Sequence, residues 1–229
     1  MSINQKQIAE VLSQFEDEGN AKLYLAPLKS LPVDVPAVWK EVLQEPEVKH
    51  GTVKTLWAPL IRDLPRTLDL LGHTLISVGL LSTNREPFSL LYFFQQAGDI
   101  YAMRGFCPRE ITRPEKSKLP PELLNFYKLH DGWIDIYSKS NGPLPSADWF
   151  FLSQILDDEQ MSELKEDFDP DNFLAIFHNG AATFVGFDIS QSPPLCFICW
   201  KDDPPEIVPD FWQCIDDWIV QYLEFFDPR

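Results

Sequence analysis

Phe173-Leu174-Ala175-Ile176-Phe177-His178, then Asn179-Gly180, then the largely apolar run Ala181–Ile189, is the stretch that decides the fold. Two strand-like segments rich in aromatic and β-branched residues meet across an Asn-Gly pair. Both residues tolerate the positive φ that a two-residue type I′ turn requires, and that turn matches the twist of paired strands. An antiparallel hairpin with Asn179-Gly180 at its tip is therefore predicted. Outward from it, Leu195–Trp200, Trp133–Tyr137 and Trp149–Leu152 are further strand-sized runs. Helices bracket them. Pro120-Pro121 opens one with a stripe of Leu123, Leu124 and Tyr127, and His130-Asp131-Gly132 closes it, Gly132 suiting the left-handed C′ position. Ser153 is placed to cap a short helix from Gln154. Pro209–Phe226 forms a last amphipathic helix with Phe211, Ile215, Trp218, Tyr222 and Phe225 along one side.

The first third follows a helical period. Ile8, Leu12 and Phe15 form one stripe, and Pro36 suits the first position of a helix carrying Val38, Trp39 and Val42. Thr55–Leu71 places Leu56, Leu60, Leu64, Leu68 and Leu71 on one face, bent or broken at Pro65 and ending at Gly72. Two β-rich runs follow, Thr74–Leu81 and Phe88–Gln95, with a third at Ile100–Met103, and Cys107–Lys118 reads as a loop or linker. The expected fold is α+β, a helical N-terminal part followed by a mostly antiparallel sheet flanked by helices. Its expected organisation is a helical plus β-hairpin region over 1–112 and an α+β domain over 113–229.

That order of elements resembles the SUKH superfamily, which includes the Smi/Knr cell-wall regulators and many bacterial toxin-immunity proteins. The resemblance rests on Leu119-Pro120 before an apolar helix that ends at His130-Asp131-Gly132, on Trp149–Leu156, on the hairpin, on the strand near Cys196 and on the closing helix after an acidic stretch. It covers residues 113–229. Family members often carry a Gly-rich acidic hairpin turn, where this chain has only Asn179-Gly180. The resemblance implies a protein that binds a cognate toxin domain and blocks its active site or its access to substrate. A regulatory scaffold with several partners is the alternative, and an enzyme using acidic side chains the third.

Composition and charge lead to a compatible class. The 229 residues are 45% hydrophobic and 13% aromatic, too apolar for a disordered chain despite a formal charge of −16. Residues 1–130 balance 15 acidic against 15 basic side chains, while 131–229 hold 20 acidic and 4 basic ones, so 4 − 20 = −16 falls entirely in the second part. A field of that sign repels nucleic acid and anionic lipid and attracts cationic partners. Met1–Gln7 lacks the pattern of a signal peptide, no apolar run approaches the roughly 20 residues of a membrane span, and four cysteines are too sparse for a disulfide scaffold. The expected setting is the cytoplasm.

Motifs for chemistry are weak. Cys196 and Cys199 have zinc-like spacing, but inside an apolar strand they project to opposite faces. Asp167, Asp169 and Asp171 imitate the start of a calcium loop, yet Asn172 stands where Gly is needed and His178 where Glu is needed. His130-Asp131 could pair as base and orienting carboxylate, but a helix end explains both. No nucleophile elbow, zinc-protease or phosphate-loop motif occurs. No catalytic residue, metal or cofactor is therefore expected. The expected partner is a protein toxin with a basic surface, met by Asp157, Asp158, Glu159, Asp167, Asp169, Asp171, Asp202, Asp203 and Glu206. Trp149 or Trp200 would supply an apolar anchor.

Overall fold

A computed structural model describes residues 3–45, 50–96, 99–157, 160–161, 164, 168–200 and 203–225. The architecture is α+β, with two antiparallel sheets. Helix α1 (Gln5–Ser13) starts at a reciprocal cap, Gln7 N donating to Asn4 Oδ1 and Asn4 N to Gln7 Oε1, both at 3.0 Å. Strand β1 (Lys22–Leu25) follows, then α2 (Lys40–Gln44), α3 (His50–Trp57) and α4 (Pro65–Thr74). Pro65 breaks the Leu-rich segment as expected, because a ring without N–H fits a first turn and not an interior. The helix runs past Gly72 to Thr74 instead of stopping there.

Strands β2 (Leu75–Ser82), β3 (Ser89–Gln96) and β4 (Asp99–Phe106) form a meander, followed by α5 (Pro121–Leu129). Strand β5 (Trp133–Asp135) then returns to the first sheet beside β4, with Gly105 opposite Trp133 and Met103 opposite Asp135. The order of that sheet is β1-β2-β3-β4-β5. The second sheet contains β6 (Gly142–Pro143), β7 (Phe150–Phe151), β8 (Phe173–His178), β9 (Phe184–Asp188), β10 (Leu195–Cys199) and β11 (Glu206–Ile207), in the order β11-β10-β9-β8-β6, with β7 also on β8. Helix α6 (Phe211–Phe225) closes the fold.

The hairpin strands lie where the sequence places them, with Phe177 opposite Val185 and His178 opposite Phe184. Their connection is not a type I′ turn. It has five residues, Asn179–Thr183, with Asn179 N donating to Thr183 O at 3.1 Å, and positive φ occurs at Gly180 and Ala182. Asn179 Oδ1 accepts from Ala181 N at 2.8 Å and Thr183 N at 3.1 Å, so its side chain organises a wider loop. Gly132 does have positive φ, +95°, but α5 ends at Leu129, too early for Gly132 to be its C′ residue. The constraint is a close approach, since a Cβ there would lie 2.4 Å from Pro145 N. Ser153 sits inside a 3₁₀ turn, Leu152–Gln154, rather than capping a helix.

Alternation along β8, β9 and β10 gives the second sheet two apolar faces. Leu174, Ile176, Val185, Phe187, Cys196 and Ile198 look inward to Phe211, Ile215, Ile219 and Leu223 of α6. Val220 is also buried, while Trp218 and Tyr222, expected on the stripe, are only half-buried. The same core takes in Trp39, Leu43, Trp57, Leu60 and Leu68 from the N-terminal helices, so it runs without a break across residue 112. Phe173, Ala175 and Cys199 look outward to Leu152 and Phe168.

One polar contact joins the ends of this core. Asp216 of α6, 3% exposed, accepts from Arg66 N at 2.9 Å and Thr67 N at 2.7 Å in the first turn of α4. Asp216→Ala leaves two amide donors without acceptors in a buried place. The expected loss is about 1–3 kcal/mol of unfolding free energy, read from the urea midpoint at unchanged slope.

Candidate functional site

Among the described residues, the outward face of the second sheet is only partly covered. Leu152 and the buried Phe168 cross it, the Phe168 ring 5.4 Å from that of Phe173 and 5.1 Å from that of Phe197. Between them and the β10–β11 connection runs a groove of about 780 Å³, with Phe184, Phe197 and Cys199 from the strands and Ile155, Leu156 and Trp200 from the connections among its lining. Ile155 is 51% and Trp200 37% exposed. Trp200 leans on Trp218 of α6, ring centroids 5.8 Å apart.

Acidic side chains lie in the lining of this groove or next in sequence to it. Asp203 lines it and is exposed. Asp157 directly follows the lining residue Leu156, Asp169 follows Phe168 and Glu206 follows Pro205, and all three are exposed. Asp157 also caps the next turn, its Oδ1 accepting from Gln160 N at 2.9 Å. Asp169 shapes the approach to β8, accepting from Asp171 N at 3.1 Å and from Asn172 Nδ2 at 2.6 Å. Asp171 is exposed two residues further on. Asp158, Glu159, Asp167 and Asp202 lie outside the described residues. Among the described residues, no ion pair engages Asp157, Asp169, Asp203 or Glu206.

The two anchor tryptophans separate. Trp149 is 3% exposed, and its Nε1 donates to Tyr127 Oη at 2.9 Å inside the core. Only Trp200 reaches the groove. Its apolar floor is what sequence reasoning did not name. The available signal was that β8 and β10 are apolar at consecutive positions, a pattern that requires cover on both faces.

Packing fixes the surroundings of the cysteines and of the His130-Asp131 pair. Cys196 belongs to the inner core and Cys199 to the outer cluster, on opposite faces of β10. Burial pushes the Cys199 thiol up to about 12 and that of Cys214 to about 11, away from thiolate reactivity. His130 and Asp131 do not form a dyad. Both are fully buried. Asp131 Oδ2 lies 2.7 Å from Arg109 Nε and its Oδ1 accepts from Ser146 N, whereas His130 Nε2 meets Tyr92 Oη at 2.7 Å. Burial drives the His130 pKa down to about 3, the Phe106 carbonyl only partly opposing it. The imidazole is a neutral core group.

That neutrality has a sign. The unfolded chain protonates His130 near pH 6.5 and the folded one only near 3, so stability is fully present above about 6.5 and declines as pH falls through this window. Urea titrations at successive pH values from 7 down to 5 should show the wild type losing up to roughly 1.4 kcal/mol per pH unit more than His130→Gln. Equal slopes would place the imidazole in solvent.

Residues 111–221, just under half of the chain, match the SMI1 / KNR4 family (SUKH-1). The match coincides with the segment whose element order resembles the SUKH superfamily. No curated protein matches the chain at a significant level, and neither does any solved structure. Among the described residues no helix is long and apolar enough to cross a membrane.

Proposed function

We propose that the chain is an immunity protein that binds a cognate bacterial toxin and neutralises it by occluding its active site. The toxin domain is basic, as effectors directed at nucleic acid or nucleotides tend to be at their working face. The observation that carries this reading is a groove that exposes Ile155 and Trp200, with Asp203 in its lining and the exposed Asp157, Asp169 and Glu206 each next in sequence to a lining residue. Loops and strand ends present these groups on a rigid sheet, where recognition residues concentrate. The match to the SMI1 / KNR4 family supports a protein-binding role without catalysis. The four free thiols suit a reducing cytoplasm, where the toxin would meet its inhibitor.

Carboxylates at the rim act mainly on encounter. Attraction between a net −16 and a basic partner raises the association rate and is screened beyond about 8 Å at physiological ionic strength. With a cognate toxin domain, the association rate constant should fall at least about tenfold between about 50 mM and about 500 mM salt, by stopped-flow measurement. Three neutralised variants test the surface: Asp157/Asp158/Glu159, Asp167/Asp169/Asp171 and Asp202/Asp203/Glu206, each changed to Asn or Gln. A group that stays at the rim should slow association, and one that holds a carboxylate fully desolvated against a toxin Arg or Lys should weaken binding by about 2–5 kcal/mol. If all three bind and protect as wild type does while a patch in residues 1–112 proves necessary, the surface assignment is wrong.

A further inference from the structure

The groove holds more apolar surface than a rim of carboxylates requires. Phe173 and Ala175 on the same outward face are completely covered, yet Trp200 and Ile155 stand 37% and 51% exposed beside the equally apolar Phe184 and Phe197. Only two of the described lining residues are hydrophilic, Gln160 and Asp203, and Asp203 carries the only charge among them. A volume of about 780 Å³ is ample for a large side chain together with part of the segment that carries it, and falls within the usual range for a ligand site. An anion is repelled by this rim, and a bare cation gains nothing from the floor. The chemistry that uses both parts is an apolar group carried between cations.

We propose that, on the immunity reading above, this groove receives one large apolar side chain of the toxin from a segment in which Lys or Arg flank it. The apolar side chain sits on Phe184, Phe197 and Trp200, and its cationic neighbours meet Asp157 and Asp203. Interfaces concentrate affinity in such a central anchor and leave rim charges to steer the approach. The two parts therefore have separate kinetic signatures. Truncating the floor raises the dissociation rate with little dependence on salt, and reversing a rim charge lowers the association rate in a way that salt removes.

The probes are three labelled synthetic peptides of equal length titrated against the full chain by fluorescence anisotropy. One has a central Phe flanked by Lys and Arg, one has Ala in place of that Phe, and one keeps the Phe but is flanked by Glu. The Phe-centred cationic peptide should bind about tenfold or more tightly than the Ala-centred one, and the acidic one should bind least. Trp200→Ala should cost the cationic Phe peptide about tenfold through a faster dissociation rate. Ile155→Asn, at a half-exposed position away from the Trp218 contact, gives a second reading of the floor at unchanged thermal midpoint. Asp203→Lys should slow association at low salt and lose that effect at high salt. Equal affinity for the Phe- and Ala-centred peptides, or wild-type binding by both floor variants, overturns the proposal. If both floor variants bind as wild type while rim neutralisation abolishes protection from the toxin, the anchor falls and the immunity reading stands. If the peptides behave as expected while no toxin is neutralised, the anchor stands without that reading.

Discussion

A hydrogen-bonded chain of three buried side chains holds the fold together. Trp57 Nε1 of α3 donates to Tyr92 Oη of β3 at 3.0 Å, and Tyr92 Oη is in turn hydrogen-bonded to His130 Nε2, just past α5, at 2.7 Å. Trp133 of β5 closes the cluster, its ring 5.0 Å from that of Trp57 and 5.8 Å from that of Tyr92. Trp39 Nε1 adds a bond to Leu129 O at 3.1 Å. Gly105 allows this, since a Cβ there would meet His130 Nδ1 at 2.3 Å. Removing Trp57 or His130 leaves Tyr92 Oη short of a partner where water cannot reach, so the arrangement holds as a unit. It ties the N-terminal helices, the first sheet and α5 to each other.

The same economy governs the charges. In the balanced first part, Arg104 lies over the rings of Phe15 and Phe106 at 5.1 and 4.4 Å and pairs with Glu18, with side-chain exposures of only 6% and 12%. Burial would raise the Glu18 pKa, but hydrogen bonding and charge from Arg104 outweigh it and hold the carboxyl below its usual range. Several second-part carboxylates also have internal duties. Asp131 meets Arg109, Asp216 caps α4 and Asp217 pairs with Arg66. The acids along the groove differ, having no cation among the described residues within ion-pair distance.

Periodicity carried much of this into the sequence. The strands Phe173–His178 and Leu195–Cys199, the break at Pro65 and the amphipathic closing helix follow from side-chain spacing alone. Long-range pairing did not. Lys22–Leu25 is a strand only because Leu80 and Leu81 stand opposite Tyr24 and Leu23, and Trp133–Asp135 joins the first sheet through register with Met103–Gly105. Asn179-Gly180 looked like a complete turn because the side-chain bonds of Asn179 to Ala181 and Thr183 depend on a geometry the letters do not encode. Asp157, Asp169, Asp203 and Glu206 were expected on exposed connections, and that exposure is what charge between apolar runs encodes. The floor of the groove was not legible, since an apolar strand does not say which face a full helix covers and which the described residues leave partly open.

That difference in cover separates the roles of the two faces of the second sheet. The inward face is committed to the core shared with Trp39, Trp57 and α6, and exposing it would unfold the molecule. The outward face carries only a small cluster around Phe168 and Phe173, so its edge can leave Trp200 and Ile155 in water without loss to the main core. Beside it, Asp157, Asp169, Asp203 and Glu206 have no ion-pair partner among the described residues. The three aspartates lie on connections between strands and Glu206 opens the edge strand β11, away from the hydrogen-bonded chain that fixes the fold. On the proposed function, a cationic partner would pair with these carboxylates while covering the exposed apolar side chains, so one contact would serve both parts of the surface.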